Sequence, residues 1–96
     1  MPRKFHVYLL TNKYRSVLYC GVTSDIARRL SQHKRGNSQF TRKYKVHILV
    51  YVEEYMSPMD AIHREKDIKR MSRLQKNRLV EESNPNWDEL PLPLDL

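Results

Sequence analysis

Apolar and polar residues along the chain fall into six segments with two different periods. Phe5-His6-Val7-Tyr8-Leu9-Leu10 is rich in aromatic and aliphatic residues and predicts a strand. Asn12-Lys13-Tyr14-Arg15 is a polar turn, and Val17-Leu18-Tyr19-Cys20-Gly21-Val22 predicts a second strand that pairs with the first as an antiparallel hairpin. A loop made of residues 12–15 puts Tyr8 directly opposite Tyr19 on one face, and a one-residue change of register separates the rings. Thr23, Ser24 and Asp25 then supply capping oxygens for a helix over Ile26 to His33. Ile26, Leu30 and His33 form its inward stripe, with Arg29 and His33 adjacent one turn apart. Gly36-Asn37 ends this helix, and Val46 to Val52 predicts the third strand. Ser57 caps a second helix whose first residue is Pro58. Ala61, Ile68 and Met71 form its buried stripe, and Glu65 sits one turn from both Ala61 and Ile68, on the flank. A further helical stretch runs from Leu74 to Glu82, Asn84-Pro85-Asn86-Trp87 breaks it, and Pro91 and Pro93 leave an extended tail.

A chain of 96 residues has room for one core, so the segments must pack as a single domain. With only Gly21 and Gly36 as glycines, glycine-rich phosphate loops are excluded. The lone Cys20 excludes an internal disulfide framework and a cysteine-based zinc cluster. The longest apolar run, Val46 to Val52, is interrupted by His47 and is too short to cross a bilayer. Arg3 and Lys4 are followed by no long apolar segment, which sets the expectation of a cytoplasmic protein without a membrane partner. Charge is unevenly spread. Positions 1–80 hold all 18 basic residues and six acids, a charge of +12, whereas positions 81–96 hold five acids and no base. A body so positive suits polyanions, although a basic surface also serves solubility and carries no information about catalysis.

His6-Val7-Tyr8, then Tyr19-Cys20-Gly21, Arg29, His33 and Glu65, in that order, resemble the GIY-YIG nuclease family. Both tyrosines and the last glycine of its motif are kept, and His6 stands where the family has the first glycine. The likeness spans roughly residues 4–87 and is strongest to the small stand-alone bacterial members, similar to the N-terminal nuclease domain of the UvrC excision-repair subunit. It implies an α+β fold, a small three-stranded antiparallel sheet flanked by helices, in a domain covering residues 1–87 with an acidic tail at 88–96. It further implies phosphodiester hydrolysis with one divalent ion, Mg²⁺ or Mn²⁺, held by Glu65. Tyr8, Tyr19, Arg29, His33 and Glu65 then occupy the catalytic positions. The family often adds an asparagine, for which Asn77 and Asn84 are both candidates.

The chemistry suits those side chains. Glu65 offers the hard oxygen that such an ion prefers, and Arg29 can grip a phosphate and offset charge in the transition state. A tyrosine with a pKa near about 10 is a weak base, so Tyr8 needs cations or His33 beside it. Gly21 lets a DNA backbone approach, and Arg28, Lys34, Arg42, Lys43, Lys69, Arg73 and Asn84 complete the expected nucleic-acid surface. Taken singly, each has a plainer explanation: Tyr8 and Tyr19 as sheet aromatics, His33 as a packing histidine, Arg29 as a solvated charge, Glu65 as the partner of Lys69. Their joint order outweighs those explanations. The expectation is a metal-dependent endonuclease acting on DNA, with RNA left open, selective for structure or single strands in a repair or recombination setting. The rivals are a binding module without catalysis and an accessory subunit docking through its tail.

Overall fold

A computed structural model of the chain describes residues 3–36 and 43–93. Strands β1 (Phe5–Thr11) and β2 (Leu18–Thr23) are followed by helix α1 (Ile26–Lys34), strand β3 (Ile48–Tyr55), and helices α2 (Pro58–Arg70) and α3 (Arg73–Ser83). The strands form one antiparallel sheet in the order β2-β1-β3, so β1 is central and β2 and β3 are its edges. The expected α+β architecture is present.

Alternation along β1 divides the core between the two faces of the sheet. Tyr8 and Leu10 point to the side of Ile26 and Leu30 of α1, with Val46 and Leu49. Val7 and Leu9 point to the other side, where Ala61 and Ile68 of α2 and Val80 of α3 close the second cluster. Each helix starts on a side-chain cap: Asp25 accepts from Arg28 N, Ser57 from Asp60 N, and Ser72 forms a capping box with Gln75. The stripe Ile26, Leu30 and His33 is buried as its spacing required. Met71 is not part of α2; it leaves helical geometry at φ −66°, ψ 148° and serves as the C-cap.

The hairpin register differs from the expected one. Tyr8 pairs with Gly21 and Tyr19 with Leu10, two residues from a Tyr8–Tyr19 pair, and the loop is 12–17 rather than 12–15. The cause is side-chain closure of the loop. Asn12 Oδ1 accepts from the backbone N of Ser16 at 2.9 Å, and Thr11 Oγ1 donates to Val17 O at 2.7 Å, which draws two more residues into the turn. An offset of two preserves parity, so both tyrosines still share the α1 face.

The third strand also starts and ends later than the run of apolar residues implied, at Ile48 and Tyr55. Lys45 has φ 54°, a left-handed residue that turns the chain before the ladder begins. The strand continues through Glu53 and Glu54 because both charges are paired. Arg64 of α2 grips Glu53 through Nε at 2.9 Å and Nη2 at 2.9 Å, and Glu54 meets His6 at 3.3 Å. Between Leu9 and Leu10 the β1–β3 register shifts, so that Tyr51 and Leu49 face consecutive residues of β1 and Val50 bulges out of the ladder.

Candidate active site

The site grows from the α1 face of the β1–β2 hairpin. Tyr8 is completely buried, and its ring passes over Gly21 on the neighbouring strand. A Cβ on Gly21 would stand 2.3 Å from Tyr8 Oη and 2.5 Å from Cζ, far inside van der Waals contact. Gly21 is therefore the space that holds a tyrosine. It is not a point of DNA approach, which corrects the expectation above: the residue is buried beneath the ring.

From that position Tyr8 Oη lies 3.1 Å from His33 Nε2, and the Tyr19 ring meets the His33 ring edge-on at 5.3 Å between centroids. Arg29, one turn before His33 and exposed, donates through Nη1 to Gln32 Oε1 at 3.3 Å and lies beside both phenols, which raise its pKa, Tyr8 more than Tyr19. Burial pushes Tyr8 up to about 12 despite the opposing pull of the nearby Arg29. Burial first, and the Arg29 charge second, push His33 below its ordinary value. Tyr8 therefore stays protonated and His33 neutral near pH 7. With His33 neutral, Tyr8 donates its hydroxyl proton to Nε2.

Four of the five expected catalytic positions thus converge. Their exposure divides them: Arg29 is exposed and Tyr19 half-buried, whereas Tyr8 and His33 lie beneath. Of the four, Arg29 and Tyr19 reach the surface.

Glu65 belongs to the opposite layer. On β2, Tyr19 and Gly21 face α1, while Cys20 between them faces α2, its Sγ 4.0 Å from Glu65 O. The Glu65 carboxylate is 15% exposed and pairs with Lys69 at 3.3 Å. The Glu65 backbone thus meets the face of β2 opposite the one that carries Tyr19 and Gly21. Among the described residues no group of three His, Cys, Asp or Glu side chains could hold a metal. A single partly exposed carboxylate suits a hard, water-rich Mg²⁺ or Mn²⁺ ion and not tetrahedral zinc.

The remaining surface candidates separate in the same way. Arg28, Lys34 and Lys43 are exposed and available to a polyanion. Arg42 lies outside the described residues. Lys69 is engaged with Glu65. Arg73 is not a free cation: its Nη atoms donate to Arg15 O at 2.6 Å and Ser16 O at 3.1 Å, and its Nε to Asn77 Oδ1 at 2.9 Å, so the Arg73–Asn77 pair staples the hairpin loop to α3. Asn84 is buried, and its role is also structural. Its amide donates to Val50 O at 3.1 Å, the carbonyl freed by the bulge, and to Asp88 O at 2.9 Å. That expectation of a substrate-facing asparagine is withdrawn. Sequence reasoning missed Arg64, which together with the hydroxyls of Tyr51 and Tyr55 surrounds Glu53 and fixes α2, the helix of Glu65, against β3. The spacing of Tyr51, Glu53 and Tyr55 on one strand face was the available signal.

A family model described as the GIY-YIG catalytic domain matches residues 4–78. The chain belongs to the GIY-YIG family. It is 36% identical over 80 residues to a UPF0213 protein of Staphylococcus haemolyticus, covering 82% of this chain and 96% of that one. With a UPF0213 protein of Vibrio parahaemolyticus the identity is 40% over 82 residues, covering 84% and 76%. The fold is similar to the solution NMR structure of a UPF0213 protein from Bacillus halodurans, with a TM-score of 0.58, 30% identity and coverage of 90% of this chain and 92% of that one. Membership of the GIY-YIG family supports a nuclease-like function with nucleic acid as its partner. No helix among the described residues is long and apolar enough to cross a membrane.

Proposed function

We propose that this chain is a divalent-metal-dependent endonuclease that hydrolyses phosphodiester bonds of DNA, with a preference for structured or single-stranded substrate. The observation that carries the reading is the convergence of the Arg29 guanidinium and two phenols on His33, on one face of the strand whose other face meets the Glu65 backbone. Arg29, held from beneath by Tyr8, presents its remaining N–H groups to a phosphate and offsets charge in the transition state. Tyr19 is the phenol near the surface and meets the attacking water. His33, kept neutral, holds the Tyr8 proton and so keeps the Tyr8 oxygen turned toward Arg29. In the reaction a water oxygen bonds to phosphorus, the bond to the 3′ oxygen breaks, and the water proton passes to solvent through Tyr19. Mg²⁺ or Mn²⁺, when bound at Glu65, would orient the phosphate and stabilise the departing oxygen.

The test is incubation of the purified chain with labelled single-stranded, duplex, flap and branched DNA in Mg²⁺, Mn²⁺ or EDTA. Cleavage is expected with either ion and not with EDTA. Glu65→Ala should abolish it, and Arg29→Ala should lower it about 10²–10³-fold with the fold intact. Arg29→Lys should not restore activity, because a point charge cannot bridge two phenols and a phosphate. Full cutting by Glu65→Ala would overturn the proposal. One observation favours a binding-only module: Glu65 already has a cation, Lys69, at 3.3 Å. Salt-sensitive binding without cleavage in any of the three conditions is the outcome that selects it.

A further inference from the structure

The hairpin loop 12–17 holds the most exposed large aromatic among the described residues. Tyr14 is 79% exposed, and the Lys13 ammonium lies 5.6 Å from its ring centroid. The loop that carries it is tied down from three directions. Asn12 closes it from inside, Arg73 binds the Arg15 and Ser16 carbonyls from α3, and Arg15 Nη2 donates to Asn86 O at 2.9 Å. Arg15 itself has φ 56°, a left-handed conformation that a side chain adopts only where its surroundings impose it. A rigid loop that leaves a tyrosine uncovered has a use for its face. The loop runs directly into β2, whose second residue is Tyr19, so Tyr14 stands at the same end of the hairpin as the exposed part of the site.

We propose that Tyr14 is a stacking platform for an unpaired nucleobase, which makes a single-stranded stretch beside the scissile bond the substrate feature this chain selects. The proposal rests on the nuclease reading and names its substrate class. The neighbours of the ring decide the occupant. Lys13 lies 5.6 Å from the ring centroid and Arg15 is the next residue of the loop, a positive setting that suits a backbone of phosphates and opposes an apolar protein or lipid partner. In a duplex the base faces are covered by their neighbours, so only an unpaired base can lie on the ring. The other exposed apolar side chains lack this combination: Met56, Met59, Leu74 and Leu92 have no aromatic face, and Tyr44 is about half as exposed at 41%.

The experiment measures binding by the full chain, in EDTA so that nothing is cut, to a single-stranded oligonucleotide carrying 2-aminopurine and to the duplex of the same sequence. Tyr14→Ala should weaken single-strand binding about five- to 150-fold, the range for losing one base–aromatic stack, and leave duplex binding and the melting temperature unchanged. Tyr14→Phe should bind like the parent chain. Stacking quenches 2-aminopurine emission in the parent chain, and the quench should vanish in Tyr14→Ala. The proposal is overturned if Tyr14→Ala binds single strands as tightly as the parent, loses equally on both substrates, or is matched in its loss by Tyr14→Phe. Failure of the parent chain to bind either substrate overturns the nuclease reading with it. Normal binding by both chains overturns this inference alone.

Discussion

Gly21 and Tyr8 act as one unit, the residue without a side chain making room for the residue with the larger one. Gly21→Ala puts a methyl 2.3 Å from a hydroxyl that cannot swing away, because Tyr8 is fully buried. It should cost about 1–3 kcal/mol in urea unfolding and also abolish nuclease activity, since Tyr8 must leave His33 and Arg29. His33 provides a pH-dependent prediction. Its folded pKa lies below the ordinary 6.5 through burial and the Arg29 charge. Below about pH 6.5 the unfolded chain takes up a proton that the folded chain refuses, so stability falls as pH drops and is level above that point. His33→Gln should flatten this part of the curve between about pH 7.5 and 5.5, measured by urea midpoints at each pH. The adjacency of Arg29 and His33 was legible in the sequence because one helical turn separates them. The meaning of Gly21 was not, because it depends on which residue of β1 stands opposite, and that is set by the Asn12 side chain in the loop.

Between elements, polar contacts carry the information that hydrophobic spacing does not. The stripes of α1 and α2 could be read from their periods, and so could the flank position of Glu65. The end of β3 could not, because Glu53 and Glu54 look like solvent residues until Arg64 and His6 are found opposite them. The structural role of Asn84 was hidden for the same reason: the carbonyl it satisfies is free of the ladder only because Val50 bulges 34 residues earlier. Arg64 is the element-scale test. Its pair with Glu53 is partly buried, and burial, which raises the Glu53 pKa, is outweighed by Arg64 and the two tyrosine hydroxyls, so the carboxyl sits below its ordinary value. Arg64→Ala should destabilise the chain by about 1–3 kcal/mol. The exposed Arg70–Asp67 pair makes the control, and Arg70→Ala should cost at most about 0.5 kcal/mol. Glu53 adds stability above about pH 4.5 that is lost as pH falls below it, and Arg64→Ala should remove that loss.

On the scale of the molecule, the acidic C-terminal segment is built into the domain as far as the described residues run. Leu90 N donates to Leu49 O at 2.8 Å, Leu90 packs on the α1 cluster, and Trp87 packs on the opposite one. Proline spacing alone suggested an extended tail because neither contact is local. Truncation after Asn86 should therefore lower stability by about 2–4 kcal/mol, from two lost apolar anchors, in thermal or urea unfolding. An unchanged melting point combined with tighter DNA binding would show instead that the segment only screens the basic body.

The two-residue offset of the hairpin has a consequence for how such chains can vary in length. Because a pleated strand presents alternate residues to alternate sides, a two-residue slip of the hairpin leaves both phenols on the α1 side but takes Gly21 from opposite Tyr8, where a side chain has no room. Adding a single residue turns one phenol through the sheet unless a compensating kink accompanies it. Length changes are tolerated where the loop absorbs them without moving the strands, so the connection between the first two strands works as a register lock on the face that carries both phenols.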